Sequence, residues 1–328
     1  MMQLVKQVPI PTAGVALGLA ALGNLLQPYS ELAHTLCGAA SLALMLMLLV
    51  KIVRFKGVVR EDLRNPIFAS VSGTFFMTLM QLATYLEPLW HAGAFALWGA
   101  AVLGHAALIV WFTAIFIAGF KLSDVYPTYF ICYVGIVVGS VTSPTFGMEA
   151  LGQALFYGGF ACYLALLVIV TLRYAKLGVP EGARPLFCIY AAPMSLSLAG
   201  YLTVTPEPNL AFALVLAVLA QALFALVLVR LPKLLKLPFY PSYAAMTFPF
   251  VITAIALGKV LNLAAANGFA VPAAFEVLVA AETLFATVMV LYVAARYLGY
   301  FYKLWAAGRP APAVAEQSAA SGAVELEG

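Results

Sequence analysis

Three ionisable side chains lie inside long apolar runs of the 328-residue chain, namely His105, Lys259 and Glu282. Charges are costly in apolar surroundings, so such residues are candidates for binding an ion or transferring a proton. Lys259 is suited to attracting an anion, but it can equally pair with Glu276 or Glu282 on the next apolar run. His105 and Glu282 are suited to carrying a coupled proton, although a lone histidine also serves as a hydrogen-bond donor to a neighbouring helix. The residue types alone leave these alternatives open.

Patterns typical of catalysis and metal binding are missing from the sequence. No Ser/His/Asp set or pair of carboxylates has a spacing suited to chemistry. The four cysteines lie in apolar runs without CxxC spacing or a nearby histidine cluster, and they are Cys37, Cys132, Cys162 and Cys188. Isolated cysteines of this kind usually pack as small hydrophobic residues. We therefore expect neither an enzyme nor a metal site, a cofactor or a nucleic-acid partner.

The composition places these residues in a membrane protein. Apolar residues make up 64% of the chain and charged residues 9%, whereas soluble domains are roughly 25% charged. Crossing a bilayer takes about 20 apolar residues. Ten segments reach about that length, at 9–27, 32–53, 66–86, 91–119, 127–146, 151–173, 185–204, 210–231, 241–261 and 274–302. We predict an all-α integral membrane protein with ten transmembrane helices in residues 1–308. Residues 309–328, rich in Ala, Pro, Ser and Glu, are predicted to form a disordered cytoplasmic tail.

Basic residues predict the orientation of these segments. All 17 Lys and Arg residues except Lys259 lie before the first segment, in the last three residues of even-numbered segments or the links after them, or near the end of the tenth and beyond. Links rich in Lys and Arg stay on the cytoplasmic side of a membrane. We therefore expect a multi-pass protein of the cell (inner) membrane, in contact with membrane lipids and with both termini in the cytoplasm.

A proline leads each odd-numbered segment, and these leading prolines are regularly spaced. They are Pro11, Pro66, Pro127, Pro185 and Pro241, at separations of 55, 61, 58 and 56 residues. Proline is favoured in the first turn of any helix, but that preference does not explain the even spacing. We predict five repeated helical hairpins in a pseudo-five-fold ring around a central pore, with the odd-numbered helices inside and the more apolar even-numbered helices facing lipid.

Alignment on the leading prolines brings small and hydroxyl residues to two common depths. Seven positions after the proline lie Gly18, Gly73, Val134, Ala192 and Phe248. Twelve positions after it lie Gly23, Thr78, Gly139, Ser197 and Thr253. Small residues let helices approach closely, and hydroxyls can satisfy a polar solute or a kinked backbone. We therefore predict that the small and hydroxyl residues of both sets line the pore.

Phe248 is the one large side chain at either depth. At a rise of 1.5 Å per residue it lies about 10 Å inside its leading proline, where an aromatic ring can close a pore by excluding water. The alternative is that it fills a gap between helices. Pro249 follows it directly, and Pro193 lies in the seventh segment. A proline within a helix removes one hydrogen bond, so both positions are predicted kinks.

Three stretches carry a family resemblance: PIPTAGVALGLAAL in the first segment, ARPLFCIYAAPMSLSLAGYL in the seventh and YAAMTFPFVITAIAL in the ninth. They resemble the tellurite-resistance/dicarboxylate transporter family, which includes bacterial TehA, plant slow anion channels and fungal malate permeases. The resemblance implies five hairpins around a pore, commonly in a homotrimer, and a ninth-helix phenylalanine that occludes the pore. Phe248 occupies that position here.

The resemblance also implies passage of small anions such as chloride, nitrate, sulfite or malate. A passive channel or uniporter gated by Phe248 is the leading interpretation. A proton-coupled exporter of sulfite, tellurite or C4-dicarboxylates, using Glu282 or His105, is the alternative.

Overall fold

A computed structural model describes residues 2–307, and within that range the chain is helical without a β-strand. The prediction of an all-α chain is confirmed for these residues, whereas the predicted tail at 309–328 lies outside them. Numbered along residues 2–307, the α-helices are α1 (Met2–Gln7), α2 (Thr12–Leu26), α3 (Glu31–Arg54), α4 (Lys56–Asp62), α5 (Pro66–Val71), α6 (Gly73–Leu86), α7 (His91–Phe112), α8 (Thr128–Val134), α9 (Val137–Thr142), α10 (Glu149–Lys176), α11 (Ala192–Val204), α12 (Leu210–Leu234), α13 (Phe248–Ala266) and α14 (Ala273–Ala307). The same range contains the π-helix Thr113–Ile117 and the 3₁₀ helices Leu122–Asp124, Ser143–Phe146, Glu181–Ala191 and Pro241–Met246.

Polar caps and prolines mark the starts of several helices. The Asn65 side chain accepts a hydrogen bond from the Ile67 backbone N–H at 2.8 Å, and Pro66 occupies the first position of α5. Asn209 caps α12 in the same way, accepting from the Phe212 N–H at 2.9 Å. An Asn cap satisfies an N–H group that the helix leaves unpaired, and proline in the first turn loses no helical bond. These starts are therefore specified by the local sequence.

Eight helical stretches among the described residues are long and apolar enough to cross a membrane. A ninth is obtained if Thr128–Val134 and Val137–Phe146, which meet at a bend of 48°, form one span. The apolar helix α2 has 15 residues, fewer than the about 20 that a straight span needs. The structure therefore supports a multi-pass membrane protein, and the count of ten spans stays a prediction.

Burial divides the long helices into two sets. The most apolar windows of Pro66–Leu86, Glu181–Val204 and Pro241–Ala266 are 61%, 83% and 78% buried. The corresponding windows of α3, α7, α10 and α14 are each 28% buried, and that of α12 is 33% buried. We call α2, α5–α6, α8–α9, α11 and α13 the inner helices and α3, α7, α10, α12 and α14 the outer helices. An inner helix together with the 3₁₀ segment before it is called an inner stretch.

Contacts pair each inner helix with the outer helix that follows it in the chain, from α2 with α3 through to α13 with α14. The inner helices also pack against one another. Going along the chain, α2 contacts α6, α6 contacts α9, α9 contacts α11 and α11 contacts α13. Finally, α13 packs back against α2. The order of contacts among the inner helices therefore returns to its starting point.

Hydrogen bonds between inner stretches follow the same order. Asn24 donates to Gln81 at 2.7 Å across 57 residues. Further bonds across 58 residues join Ser70 to Thr128 and Ser195 to Thr253. These separations lie within three residues of the corresponding leading-proline spacings of 55, 61 and 56 residues, so neighbouring hairpins meet at similar depths.

Within the described residues, four of the five inner stretches change backbone conformation about seven residues after the leading proline. α5 ends at Val71 and α6 begins at Gly73, while α8 ends at Val134. In the other two, a 3₁₀ segment gives way to an α-helix at Ala192 and at Phe248. Each change therefore falls at the depth of seven residues that the alignment defined. Segments of 3₁₀ helix inside a longer helical stretch often mark strain or a hinge.

The two prolines predicted to kink their helices lie just after these changes. Pro193 and Pro249 each occupy the second position of an α-helix, α11 and α13 respectively. A helix leaves its first N–H groups unpaired, so a proline there costs no hydrogen bond. Each of the two α-helices instead follows a 3₁₀ segment, and Thr247, between the segment Pro241–Met246 and α13, has φ −115° and ψ −92°.

Candidate functional site

A cavity of about 280 Å³ lies among the inner stretches at the end where the leading prolines are found, which we call the proline end. Every inner stretch contributes to its wall. Examples are Leu17 on α2, Met77 on α6, Val134 on α8, Leu196 on α11 and Phe248 on α13. The cavity thus occupies the space that the five inner stretches share.

The lining of this cavity is mostly apolar. Its described residues include no Lys, Arg or His, and the polar ones are Asn65, Thr74, Glu181, Tyr240 and Ser242. The Thr74 hydroxyl donates to the Val71 carbonyl at 2.7 Å, so it is already engaged. A solute in the cavity therefore meets no basic side chain and few free polar groups.

Phe248 lies in the wall of the cavity. It is the first residue of α13, and 5% of its surface is exposed. Phe250, two residues further on, is fully buried and packs its ring against Phe224 and Phe285 at centroid distances of 5.9 and 5.1 Å. Phe248 has no such ring contact among the described residues and lines the cavity instead. The two phenylalanines thus have different surroundings.

Contacts with α2 fix the backbone immediately before Phe248. The Thr247 hydroxyl donates to the Gly14 carbonyl at 3.0 Å and to the Ala244 carbonyl at 2.7 Å. A Cβ atom placed on Gly18 would lie 2.5 Å from the Thr247 Cβ, closer than real atoms approach. Glycine at position 18 therefore lets α2 lie directly against the start of α13.

The five residues at the seventh position have two kinds of surroundings. Val134 and Ala192 line the cavity together with Phe248. Gly18 instead contacts the start of α13, and a Cβ on Gly73 would lie 3.2 Å from the Ile131 carbonyl. These two glycines permit close packing of inner stretches.

The residues at the twelfth position lie deeper and are not among the described residues lining the cavity. The hydroxyls of Thr78, Ser197 and Thr253 donate to the carbonyls of the residues four positions earlier, at 2.7, 2.7 and 2.9 Å. A Cβ on Gly23 would collide with the Tyr85 hydroxyl, and one on Gly139 would lie 2.8 Å from the Leu155 side chain. The structure thus places these five residues in helix contacts, and a pore-lining role remains a prediction.

None of the three ionisable residues singled out in the sequence lies among the described residues that line the cavity. Glu282 is 4% exposed on α14. It faces the Gln221 side chain of α12, yet neither carboxylate oxygen has a partner at hydrogen-bond geometry within the described residues. Lys259 is half-buried on α13, and no ion pair of the described residues includes it. His105 is fully buried on α7, and its Nε2 donates to the Cys132 carbonyl at 2.8 Å.

Sequence reasoning missed Glu181, the carboxylate in the cavity lining. It lies at the proline end and accepts a hydrogen bond from the Tyr240 hydroxyl at 2.7 Å. This hydrogen bond is the largest cause that raises the pKa of Tyr240. Next to it, the Ser242 hydroxyl donates to the Gly182 carbonyl at 2.6 Å. An acid directly after Pro180, four residues before a leading proline, is a weak signal that nothing else in the sequence reinforces.

The family model described as voltage-dependent anion channel (SLAC1) matches residues 7–298. The chain belongs to the voltage-dependent anion channel family. This is the tellurite-resistance/dicarboxylate transporter family under another name, so the resemblance noted from the sequence is confirmed. No curated protein gives a significant match. Membership of an anion channel family, together with the long apolar helices, makes the chain a multi-pass membrane protein that transports anions.

For an anion channel, Glu181 is an unfavourable charge at the mouth of the cavity. At a separation of about 10 Å and an effective dielectric constant of about 20 to 80, its repulsion of a monovalent anion is about 0.4 to 1.7 kcal/mol. Glu181→Gln keeps an acceptor for Tyr240 and removes the charge. We expect anion uptake into liposomes to rise about two- to twentyfold at low salt, and less at high salt because of screening.

Glu61 provides the control for this substitution. It is an exposed acid five residues before the leading proline Pro66, paired with Arg64 at 2.9 Å, and it does not line the cavity. Glu61→Gln is expected to leave uptake unchanged. Equal effects of the two substitutions, or an effect of Glu181→Gln that does not depend on salt, would reject a local electrostatic role for Glu181.

Proposed function

We propose that this family member is a passive anion channel or uniporter whose pore runs between the five inner stretches and is occluded by Phe248. The observation that carries the proposal is the shared cavity, because it takes wall residues from every inner stretch and has Phe248 in its wall. A large apolar ring at a constriction closes a pore by excluding water as well as by filling space.

The proposed architecture is a pseudo-five-fold ring of ten membrane spans, with the short helix α2 as the first. The order of inner-helix contacts, which returns from α13 to α2, supports a closed ring. The bond from Thr247 to Gly14 joins residues 233 positions apart, about four times the spacing of the leading prolines. The basic links support a cytoplasmic location for both termini and the proline end. A homotrimer with one pore per subunit is proposed from the family resemblance.

Helix orientation offers the permeating anion a favourable potential without basic side chains. The α-helices α6, α11 and α13 begin near the level of Phe248 and run away from the proline end. The start of an α-helix carries a partial positive charge of roughly half an elementary charge. In the proposed pore, Val134 and Ala192 face the anion at this level. The hydroxyls of the twelfth position line the far half, and Lys259 attracts anions near the far end.

A second candidate function is a proton-coupled exporter of sulfite, tellurite or C4-dicarboxylates. The observation favouring it is Glu282, a buried carboxylate whose oxygens lack hydrogen-bond partners among the described residues. Buried charges of this kind in membrane helices often belong to proton pathways.

Glu282→Gln separates the two functions. The amide has nearly the same shape and cannot titrate, so a passive channel should keep its anion flux within about twofold at every pH. A carrier that uses this carboxyl should lose pH-driven flux. The measurement is anion uptake by liposomes with an imposed pH gradient. Glu276→Gln, an exposed position on the same helix, serves as the control.

The proposed function is tested by liposome flux of chloride, nitrate, sulfite and malate with and without a proton gradient. We expect uptake that follows each anion's own gradient and ignores the proton gradient. Uptake of one substrate only when protons flow would favour the exporter. No uptake of any of the four, by folded and inserted wild-type protein and by the protein with Phe248→Ala, would reject both functions.

A further inference from the structure

We infer that His105 is a positioning residue for the pore, because its Nε2–H holds the break between α8 and α9 by bonding a carbonyl that the break leaves free. The inference rests on the proposed function for its consequence in anion selectivity. The claim that His105 holds the break does not depend on that function and is tested by a separate measurement.

The break lies between the end of α8 at Val134 and the start of α9 at Val137, and the axes there meet at 48°. The Gly135 N–H bonds back to the carbonyls of Phe130 and Ile131, both at 3.2 Å. The next backbone bond across the break runs from the Val138 N–H to Gly135 at 3.0 Å.

A continuous helix would bond the Cys132 carbonyl to the N–H four residues later, at Ile136. The backbone bonds described at the break do not include that one. Cys132 is fully buried, and an acceptor buried without a partner is unfavourable. The Cys132 carbonyl therefore needs a donor from outside its own helix.

His105 supplies the donor from the neighbouring outer helix α7. Its Nε2 lies 2.8 Å from the Cys132 carbonyl oxygen, and the imidazole is fully buried. Because a carbonyl only accepts, Nε2 must carry the hydrogen. The other ring nitrogen, Nδ1, is buried and has no hydrogen-bond partner among the described residues. A relay needs a partner on each nitrogen, so this geometry fits a fixed donor better than a proton carrier.

Two glycines make room for the imidazole at the depth of the predicted gate. A Cβ on Gly73 would lie 3.3 Å from the His105 Cε1 atom, and a Cβ on Gly135 would lie 3.0 Å from it. The ring therefore fits between the start of α6 and the α8–α9 break. Val134, the residue before Gly135, lines the cavity. Loss of the His105 hydrogen bond should let the break rearrange and move Val134.

Three substitutions at His105 test this assignment. A glutamine amide nitrogen can reach the position of the histidine Nε2, whereas that of asparagine reaches only the position of Nδ1. His105→Gln therefore keeps the donor without a titratable group, His105→Asn misplaces it and His105→Leu removes it. We expect His105→Gln to retain flux within about twofold on both sides of the ordinary histidine pKa. We expect His105→Leu and His105→Asn to change the nitrate-to-chloride permeability ratio by about threefold or more.

Hydrogen exchange of the peptide covering residues 130–140 provides the readout that does not depend on transport. We expect about tenfold faster exchange in His105→Leu and His105→Asn than in wild type, and no change in His105→Gln. Wild-type exchange and selectivity in folded His105→Leu would overturn the inference. Loss of flux in folded His105→Gln with unchanged exchange would instead assign a titrating role. If no variant of the chain conducts, the proposed function fails and the exchange result still decides the structural claim.

Discussion

Replacement of Phe248 by alanine is expected to raise anion current about 10- to 100-fold, which corresponds to a barrier lower by about 1.4 to 2.7 kcal/mol. Phe248 is the one large side chain at the seventh position and lies in the wall of the cavity, and the described residues place no aromatic ring contact against it. We expect its removal to widen the proposed pore at this depth and to let water enter it. The current is measured across planar bilayers that contain purified protein.

Phe250→Ala is the matched control for this prediction. It removes the same ring two residues away, but Phe250 packs against Phe224 and Phe285 and does not line the cavity. We expect Phe250→Ala to lower stability by about 3 to 5 kcal/mol through the cavity it creates, without raising the current. Equal currents from both variants, or none from folded Phe248→Ala, would contradict the assignment of Phe248 as the gate.

A phenylalanine on a different inner helix is expected to close the pore again. Ala192 lies at the same depth as Phe248, seven residues after Pro185, and lines the cavity with 8% of its surface exposed. In the Phe248→Ala background, Ala192→Phe should therefore reduce the current about tenfold or more. The physical reason is that a ring at this level narrows the same proposed constriction from the neighbouring inner helix α11.

Ala192→Ser in the same background provides the comparison, because it changes the side chain without filling the space. We expect it to conduct like Phe248→Ala alone. If Ala192→Phe leaves the current unchanged in protein shown to be folded, positions 192 and 248 do not face the same pore. The equal depth assigned to them from the leading prolines would then be wrong for the conduction pathway.

The depth of a residue along its inner helix could be predicted from the sequence, whereas the face of the helix on which it lies could not. The leading prolines placed Phe248, Val134 and Ala192 at one depth, and these three residues all line the cavity. The same alignment also placed Gly18 and Gly73 in the lining, whereas the structure puts them between helices. Helices that are apolar on every side carry no periodic signal for the face that points inward.

The backbone conformation just before Phe248 also could not be predicted from the sequence. Pro249 predicted a kink within a continuous helix, but the α-helix begins at Phe248, after a 3₁₀ segment from Pro241 to Met246. Contacts from distant residues, such as that of Thr247 with Gly14, accompany this conformation. Local preferences cannot reveal partners that lie more than 200 positions away.

The central claim is that anions move passively through a pore that Phe248 closes, and the reversal potential of the Phe248→Ala current tests it most directly. The measurement uses a planar bilayer with a chloride gradient, first at equal pH and then with a pH difference across the membrane. We predict a reversal potential close to the chloride equilibrium potential that does not move when the pH difference is imposed. A reversal potential that follows the proton gradient, or that ignores the chloride gradient, would contradict the claim.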